Sequence, residues 1–390
     1  MDNKKRKLLF VAFFMTPGGC GACTSLVNFV NHFHNDFDID IAVIDKSHGS
    51  FETILSKCNI IEVCENTKDE LIPKQEPRQR SSFSKKTRGV LGKFGIVQKL
   101  HKTFTKPKPQ FMLPNPKFIK IDKQYDVVAQ LSVFDPYMTK YVAEYVDAKK
   151  KFAFIHADFT IYRMHLDVEA VKDYKIFTVA RTLALRFKKM YPTLDSDYLY
   201  NFQDIQKIIS FADKESIELS GTPSIVTCVR IAPQKAILRS IHVFNKLAKQ
   251  DFDFHWTIVG DGPEKQQAEE LISKYNLQNY ITMVGSKLNP FPYVKAADLF
   301  FLGSVWEAAP MVYGESMTLG VPVLTTNIVS AEELVGNKGF ICPSSPKGIY
   351  RALKHLLQNQ NLIEEKRELL KDYKYPNDEI RAKFLELAGE

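Results

Sequence analysis

From Ser224 to Thr326 the chain repeats one pattern: a short apolar run, a turn, an amphipathic stretch, then another apolar run. Residues 224–229, 255–259, 281–284, 299–302 and 322–326 predict strands. Residues 235–247, 264–275, 292–296 and 311–319 predict the helices between them. Strands that are apolar along their whole length belong in a sheet covered on both faces, and helical crossovers make such a sheet parallel. The first fifty residues begin the same pattern, with a strand at 7–15, a glycine turn at 17–21, a helix at 24–34 and a strand at 39–44. It resumes with strands at 125–131, 151–156 and 175–180 and helices at 137–146 and 182–190.

The fold class expected is therefore α/β, with two Rossmann-like doubly wound units, because 390 residues suit two such domains better than one. The first spans 1–205, and a polar stretch from Tyr198 to about Ser220 reads as the linker. The second spans 206–370. Residues 346–359 and 362–387 are helical by pattern, and the segment 371–390 is expected to pack back on the first domain.

Charge is uneven. Between Lys74 and Lys123 fourteen Lys and Arg meet only Glu76 and Asp122. Six prolines fall in 68–123, so this segment predicts a basic, loop-rich insertion, either a solvated rim or a surface for an anionic partner. Its aromatics are not interleaved in a recognisable nucleic-acid-binding motif, an anionic membrane surface or a lipid diphosphate fits equally well, and nucleic acid is not expected. The N-terminal Lys4-Lys5-Arg6-Lys7 and the apolar run after it imitate a secretory signal, but the run is short and ends in Thr16-Pro17-Gly18-Gly19; a buried first strand is expected instead. No run reaches the ~18 apolar residues of a membrane span. A cytoplasmic protein, at most peripheral to the membrane, is the expectation. Six scattered cysteines suit a reduced compartment, and the single CxxC, Cys20 and Cys23, has no second half to complete a zinc site.

In a parallel sheet, ligands lie at the carboxyl ends of the strands. Gly18 and Gly19 follow the first strand and would let backbone amides approach a phosphate or sugar. Arg230 and Lys235 follow the strand at 224–229 and would neutralise a leaving diphosphate. In Trp306-Glu307-Ala308-Ala309-Pro310-Met311-Val312-Tyr313-Gly314-Glu315, two carboxylates flank a helix start at which the free amides of residues 309–312 (Ala309, Pro310, Met311, Val312) would face a phosphate. Carboxylates repel phosphate, so Glu307 and Glu315 would serve hydroxyl groups.

Together with Val259-Gly260-Asp261-Gly262-Pro263, Ala296-Ala297-Asp298-Leu299-Phe300 and Leu319-Gly320-Val321-Pro322-Val323, these residues resemble the C-terminal half of glycosyltransferase family 4, in the same order. The resemblance is specific over residues 224–348. It is looser at Pro17-Gly18-Gly19, Phe154-Ile155-His156-Ala157-Asp158 and Asn201-x-x-Asp204, and it gives no match for 64–123. It implies the GT-B fold, two Rossmann-like domains facing across a cleft. It also implies a nucleotide-sugar donor on the C-terminal domain, retained anomeric configuration, and no metal or other cofactor. By that resemblance Arg230 and Lys235 hold the diphosphate, Glu315 the ribose, Glu307 the sugar, and His156 lies beside the transferring sugar, with Gly18, Gly19 and Gly260 lining the donor site. Ala308 and Ala236 depart from the family's glycines; the first suggests a subgroup acting on bacterial surface polysaccharides. A UDP-sugar and a glycan or lipid-linked acceptor at the inner face of the membrane are the expected substrates.

Asp-x-Asp pairs at Asp36/Asp38, Asp38/Asp40, Asp195/Asp197 and Asp251/Asp253 raise a metal-dependent alternative, but they sit beside strands and turns where acids are ordinary solvation. A non-catalytic partner of another transferase and a nucleotide-sugar epimerase or hydrolase are the other readings.

Overall fold

The computed structural model describes residues 5–13, 21–44, 54, 56–65, 116–162 and 166–389. Gly18, Gly19, Cys20 and the basic stretch from Lys74 to residue 115 lie outside the described residues.

Two parallel sheets carry the chain. The first has seven strands in the order β3-β2-β1-β4-β5-β6-β7: β1 Arg6–Val11, β2 Phe37–Val43, β3 Asn59–Glu62, β4 Gln124–Gln130, β5 Asp147–Ile155, β6 Tyr174–Thr178 and β7 Ser196–Tyr198. The second has six in the order β10-β9-β8-β11-β12-β13: β8 Ser224–Cys228, β9 His255–Val259, β10 Ile281–Gly285, β11 Leu299–Leu302, β12 Val323–Thr326 and β13 Phe340–Cys342. In each sheet the first strand lies inside and the order reverses beside it, between β1 and β4 and between β8 and β11. Those reversals leave crevices at the strands' carboxyl ends.

The apolar run at the N-terminus shows why the strands form. With a side-chain period of two, Leu8 and Phe10 face one core cluster while Leu9 and Val11 face the other, and all four are within 2% of complete burial. β1 stops at Val11, short of the residue 15 expected.

Several other expectations need correction. The supposed linker contains helix Ile205–Ala212, whose first turn is capped by Asp204 accepting from the Lys207 amide at 3.0 Å. It packs against helices Phe291–Lys295 and Met311–Thr318 of the second unit. Strands β3 and β13 were not expected; they are short edge strands with little alternation. The single helix at 362–387 is two, Asn361–Leu370 and Asn377–Gly389. Pro376 explains the break, since it lacks an amide hydrogen and disfavours helical backbone at Tyr375.

The last helix packs on the first domain. Phe384 is fully buried, with ring centroids 4.6 Å from Phe29 and 5.0 Å from Phe33. Arg381 pairs with Asp36 at 2.7 Å and Lys383 with Asp197 at 2.8 Å. The chain thus crosses between the sheets twice, near 199–204 and near 371–376. Phe384→Ala is expected to cost about 3–4 kcal/mol of stability, read from the urea midpoint. An unchanged midpoint would mean that the last helix adds nothing to the core.

Candidate active site

The crevice between β8 and β11 gathers most of the candidate residues. After β8 the backbone from Val229 to Ala236 runs beside the loop that follows β9: the Val229 amide donates to the Val259 carbonyl at 3.0 Å, and Ile231 to Asp261 at 2.8 Å. A Cβ on Gly260 would lie 1.9 Å from the Val229 carbonyl oxygen, and φ there is +147°. Close backbone approach therefore accounts for Gly260 without any ligand.

Lys235 and Glu307 face each other. Glu307 is 8% exposed. Its Oε1 accepts from Lys235 Nζ at 2.5 Å and from Ser304 Oγ at 2.8 Å, and its Oε2 accepts from Gln234 Nε2 at 3.0 Å. A carboxylate buried to this degree costs several kcal/mol unless paired and hydrogen-bonded. Lys235 is engaged by Glu307, whereas Arg230, just past the end of the strand, is exposed. Lys235 closes a short 3-10 turn, Pro233–Lys235, and Ala236 follows in the left-handed region at φ +53° before helix Ile237–Ala248 begins. An alanine there costs about 1–2 kcal/mol, so the glycine it replaces had a backbone reason.

Helix Met311–Thr318 starts in the loop after β11. Pro310 is its N-cap, in extended backbone at φ −62° and ψ 120°, not its first helical residue, and being proline it offers no amide hydrogen. The amides of Met311 and Val312 have no acceptor among the described residues, so the helix start presents two donors and the positive end of its dipole. Ala308, 5% exposed, and Ala309 pack against the first domain's core cluster. Glu315, one turn further on, is half-buried, and burial pushes its carboxyl up to about 7, with Lys207 opposing. Gly314 lies against the first crossing: a Cβ there would meet Gln203 Nε2 at 2.4 Å and the Tyr375 ring at 2.7 Å. Gln203 Nε2 donates to the Met311 carbonyl at 2.7 Å.

His156 follows β5 in the first domain. Its ring is 5.8 Å from that of Phe154, and it shares a hydrogen bond with Asn201. Burial lowers its pKa to about 4, so the ring is neutral near neutral pH. Asn201 is held in turn by Ser25 Oγ, donating to its side chain at 2.9 Å, and by Tyr375 hydroxyl, donating to its carbonyl at 2.5 Å. Among the described residues no hydrogen bond or ion pair joins His156 to Arg230, Lys235, Glu307 or Glu315.

Asp36, Asp38, Asp40, Asp195 and Asp197 of the Asp-x-Asp pairs have structural partners. Asp40 accepts from Lys123 Nζ at 2.7 Å and from Tyr125 hydroxyl at 2.6 Å. Asp36 and Asp197 hold the last helix as described above, and Asp195 pairs with Lys175 at 2.8 Å.

Sequence reasoning missed Gln234, Ser304, Gln203, Tyr375 and Glu333. The first two flank Lys235 and Glu307 closely enough to be sought by spacing. Glu333 has no such signal. From the short helix Ala331–Leu334 its carboxylate reaches the other domain, accepting from the amides of Arg181 at 2.6 Å and Thr182 at 2.8 Å and from Tyr200 hydroxyl at 2.7 Å. It caps helix Arg181–Met190, which has no side-chain cap of its own.

Comparison with known proteins bears on the family and the fold. Residues 210–375 match the family model described as glycosyl transferases group 1. An uncharacterised glycosyltransferase of Methanocaldococcus jannaschii is 32% identical over 114 residues, covering 29% of this chain and 27% of that protein. The curated relatives are spanned over less than half of their length. Among solved structures, HepE of Anabaena in complex with UDP and glucose superposes with a TM-score of 0.64 at 15% identity, over 98% of this chain and 99% of that one. WaaG, a glycosyltransferase involved in lipopolysaccharide biosynthesis, gives 0.61 at 14% identity over 98% and 99%. The fold is GT-B.

Two tests follow from the geometry. Lys235→Met leaves Glu307 without its cation and is expected to cost about 3 kcal/mol. With Glu307→Gln added, the loss should fall short of the sum by at least ~1 kcal/mol; strict additivity in a urea double-mutant cycle would show the pair to be uncoupled. Glu333→Ala removes three bonds between the domains. Small-angle scattering should show a larger radius of gyration, and an unchanged radius would mean that other contacts hold the domains together.

Proposed function

We propose, from the match of residues 210–375 to the group 1 glycosyl transferases, that the chain is a retaining glycosyltransferase. It moves a sugar from a nucleotide diphosphate, with UDP favoured, to a glycan acceptor. The observation that carries the reading is the helix start at Met311: two open amides, with Glu307 on the strand side and Glu315 one turn inside, at the crevice beside β8. An anion suits the amides and hydroxyls suit the carboxylates.

In this reading the diphosphate lies over the amides of Met311 and Val312, with Arg230 at the rim and Pro310 and Ala309 shaping the approach. Glu315 accepts the ribose hydroxyls. Glu307 has its charge balanced by Lys235 and keeps acceptor capacity on Oε2, which receives one donor from the protein; a sugar hydroxyl takes the remaining place. The nucleotide diphosphate departs loosely while fixed dipoles and cations meet the growing negative charge, and the acceptor hydroxyl attacks from the same face. His156, neutral at working pH, lies beside the sugar from the first domain. The donor requires no metal in this scheme. UDP is favoured because HepE superposes over the whole chain and is described with UDP and UDP-glucose.

The acceptor proposed is a glycan, lipid-linked, in bacterial surface-polysaccharide synthesis at the cytoplasmic face of the membrane. WaaG's part in lipopolysaccharide biosynthesis supports that choice. Among the described residues no helix is long and apolar enough to cross a membrane.

Calorimetric titration in EDTA with UDP, GDP and their sugars tests the reading. One nucleotide should bind, and Glu315→Ala should weaken it by ~1–3 kcal/mol. The pH dependence has a defined sign. Glu315 is largely protonated below about 7, and ribose hydroxyls favour its carboxylate, so binding releases a proton there. Affinity should rise between about pH 6 and 8, up to about tenfold per unit at the low end, and then level off. Glu315→Gln should flatten the profile. If no nucleotide binds to folded protein, the non-catalytic partner becomes the better reading.

A further inference from the structure

Helices Ile237–Ala248 and Pro346–Gln358 pack against each other in the second domain, and their sequences, ILRSIHVFNKLA and PKGIYRALKHLLQ, contain no Asp or Glu. His242 and Lys246 lie four residues apart on the first helix, and Lys347 and Arg351 four apart on the second, so each pair shares one face of its helix. The two faces border a single cavity of about 380 Å³, with Tyr350 in its wall. The Lys246 ammonium lies over the Tyr350 ring, 4.0 Å from the centroid. Tyr350 hydroxyl donates to Gln250 Oε1 at 2.9 Å, and Tyr275 hydroxyl shares a hydrogen bond with His242 Nδ1 at 2.9 Å, so the ring of each wall is held in place. Lys246, Lys347 and Arg351 are exposed, and among the described residues none of them is in an ion pair. Like charges four apart destabilise a helix, and no acid on either helix offsets Lys347 beside Arg351. Arg230, Lys235, Glu307 and Glu315 do not line this cavity.

We propose that this cavity is a second anion site, separate from the donor crevice, for a soluble ligand that carries two or more phosphates. Three permanent cations in one cavity call for more than one negative charge. Lys246 comes from one wall and Lys347 and Arg351 from the other, so the acceptor must offer oxygens in several directions. Tetrahedral phosphates do so, and the guanidinium fork of Arg351 can take two of those oxygens at once. The volume lies within the range of about 300–1,000 Å³ in which discrete small ligands bind. A concave site between two helices is filled by such a molecule and not by a flat surface. The site does not depend on the glycosyltransferase reading, because none of its residues belongs to the donor crevice.

The test is calorimetric titration of the full chain with sodium tripolyphosphate, in EDTA and at low salt so that exposed charges are little screened. The wild type should bind, K347E/R351E should weaken that event by about tenfold or more, and K246Q should weaken it several-fold. K188E/K189E makes the same kind of charge change on exposed side chains of the first domain and should leave it nearly as it was. Arg230→Ala should also keep it. If the donor crevice takes tripolyphosphate too, the wild type shows two events, and Arg230→Ala weakens the one that K347E/R351E retains. Citrate, a polyanion of planar carboxylates, should bind several-fold more weakly. All the substituted side chains are exposed, so each variant should keep the wild-type Tm. The proposal is overturned if the wild type binds no tripolyphosphate, or if K347E/R351E or K246Q binds it as the wild type does. An equal loss in K188E/K189E would overturn it as well, because net charge alone would then explain the binding, and equal affinity for citrate would remove the assignment to phosphate.

Discussion

The double crossing of the chain between its two sheets is the constraint on which the site geometry depends. At the first crossing Asn28 Nδ2 donates to the Phe202 carbonyl at 2.8 Å, and at the second Asn377 Nδ2 donates to the Gln203 carbonyl at 2.7 Å. Tyr375 hydroxyl ties the second crossing to Asn201 of the first. The two strands of the hinge are therefore one hydrogen-bonded unit, clamped on one side by helix Gly21–Phe33 and on the other by the start of the last helix. Helix Met311–Thr318 leans directly on it, since Gly314 leaves no room for a side chain between them. Any rotation at the crossings moves the amides of Met311 and Val312 and the carboxyl of Glu315 together. His156 is fastened to the same unit through Asn201. The hinge thus couples the first domain's candidate residue to the second domain's without a direct contact between them.

The two glutamates of the site receive opposite electrostatic treatment. Glu307 sits in a cage of Lys235, Ser304 and Gln234, so its charge is paid for locally and its geometry is fixed before any substrate arrives. Glu315 has no such cage among the described residues. Its carboxyl rises to about 7 because burial is opposed only by the more distant Lys207. One carboxylate is preorganised and the other waits for donors, which is the division expected where one positions a reacting sugar and the other senses a bound ribose. Removing a partner of Glu307 would leave a buried charge unpaired, whereas protonating Glu315 would relieve the cost of burying its charge.

What was legible in the sequence was what short range decides. Runs such as Leu8 to Val11 announce a strand covered on both faces, and Asp261 between two glycines announces a tight loop, because neighbouring residues alone fix those conformations. The breaks were harder. Asp204 and the apolar spacing of Ile205, Ile208 and Ala212 do encode a helix, but polar neighbours disguised it as linker. Pro376 encodes the interruption after Leu370, yet apolar residues at helical spacing on both sides concealed it. The contacts of Glu333 and Gln203 were out of reach altogether. Glu333 meets amides 152 and 151 residues away, and Gln203 a carbonyl 108 residues away. Nothing in their local sequence distinguishes them from solvated surface residues.

The two alanines standing where the resemblance predicts glycine lead in different directions once their surroundings are known. Ala308 turns a position that needs no special backbone into a contact: its methyl group is buried in the first domain's cluster, so the loop holding Glu307 is anchored across the domain junction. Ala236 gains nothing comparable. Its left-handed backbone is imposed by the turn that brings Lys235 to Glu307 and by the helix that must start at Ile237, whose Ser240 amide already takes the Ala236 carbonyl at 3.0 Å. The strain there is carried by the ion pair on one side and by the buried face of helix Ile237–Ala248 on the other. A chain that keeps an unfavourable alanine at that corner shows how firmly those two neighbours determine the path of the backbone through the site.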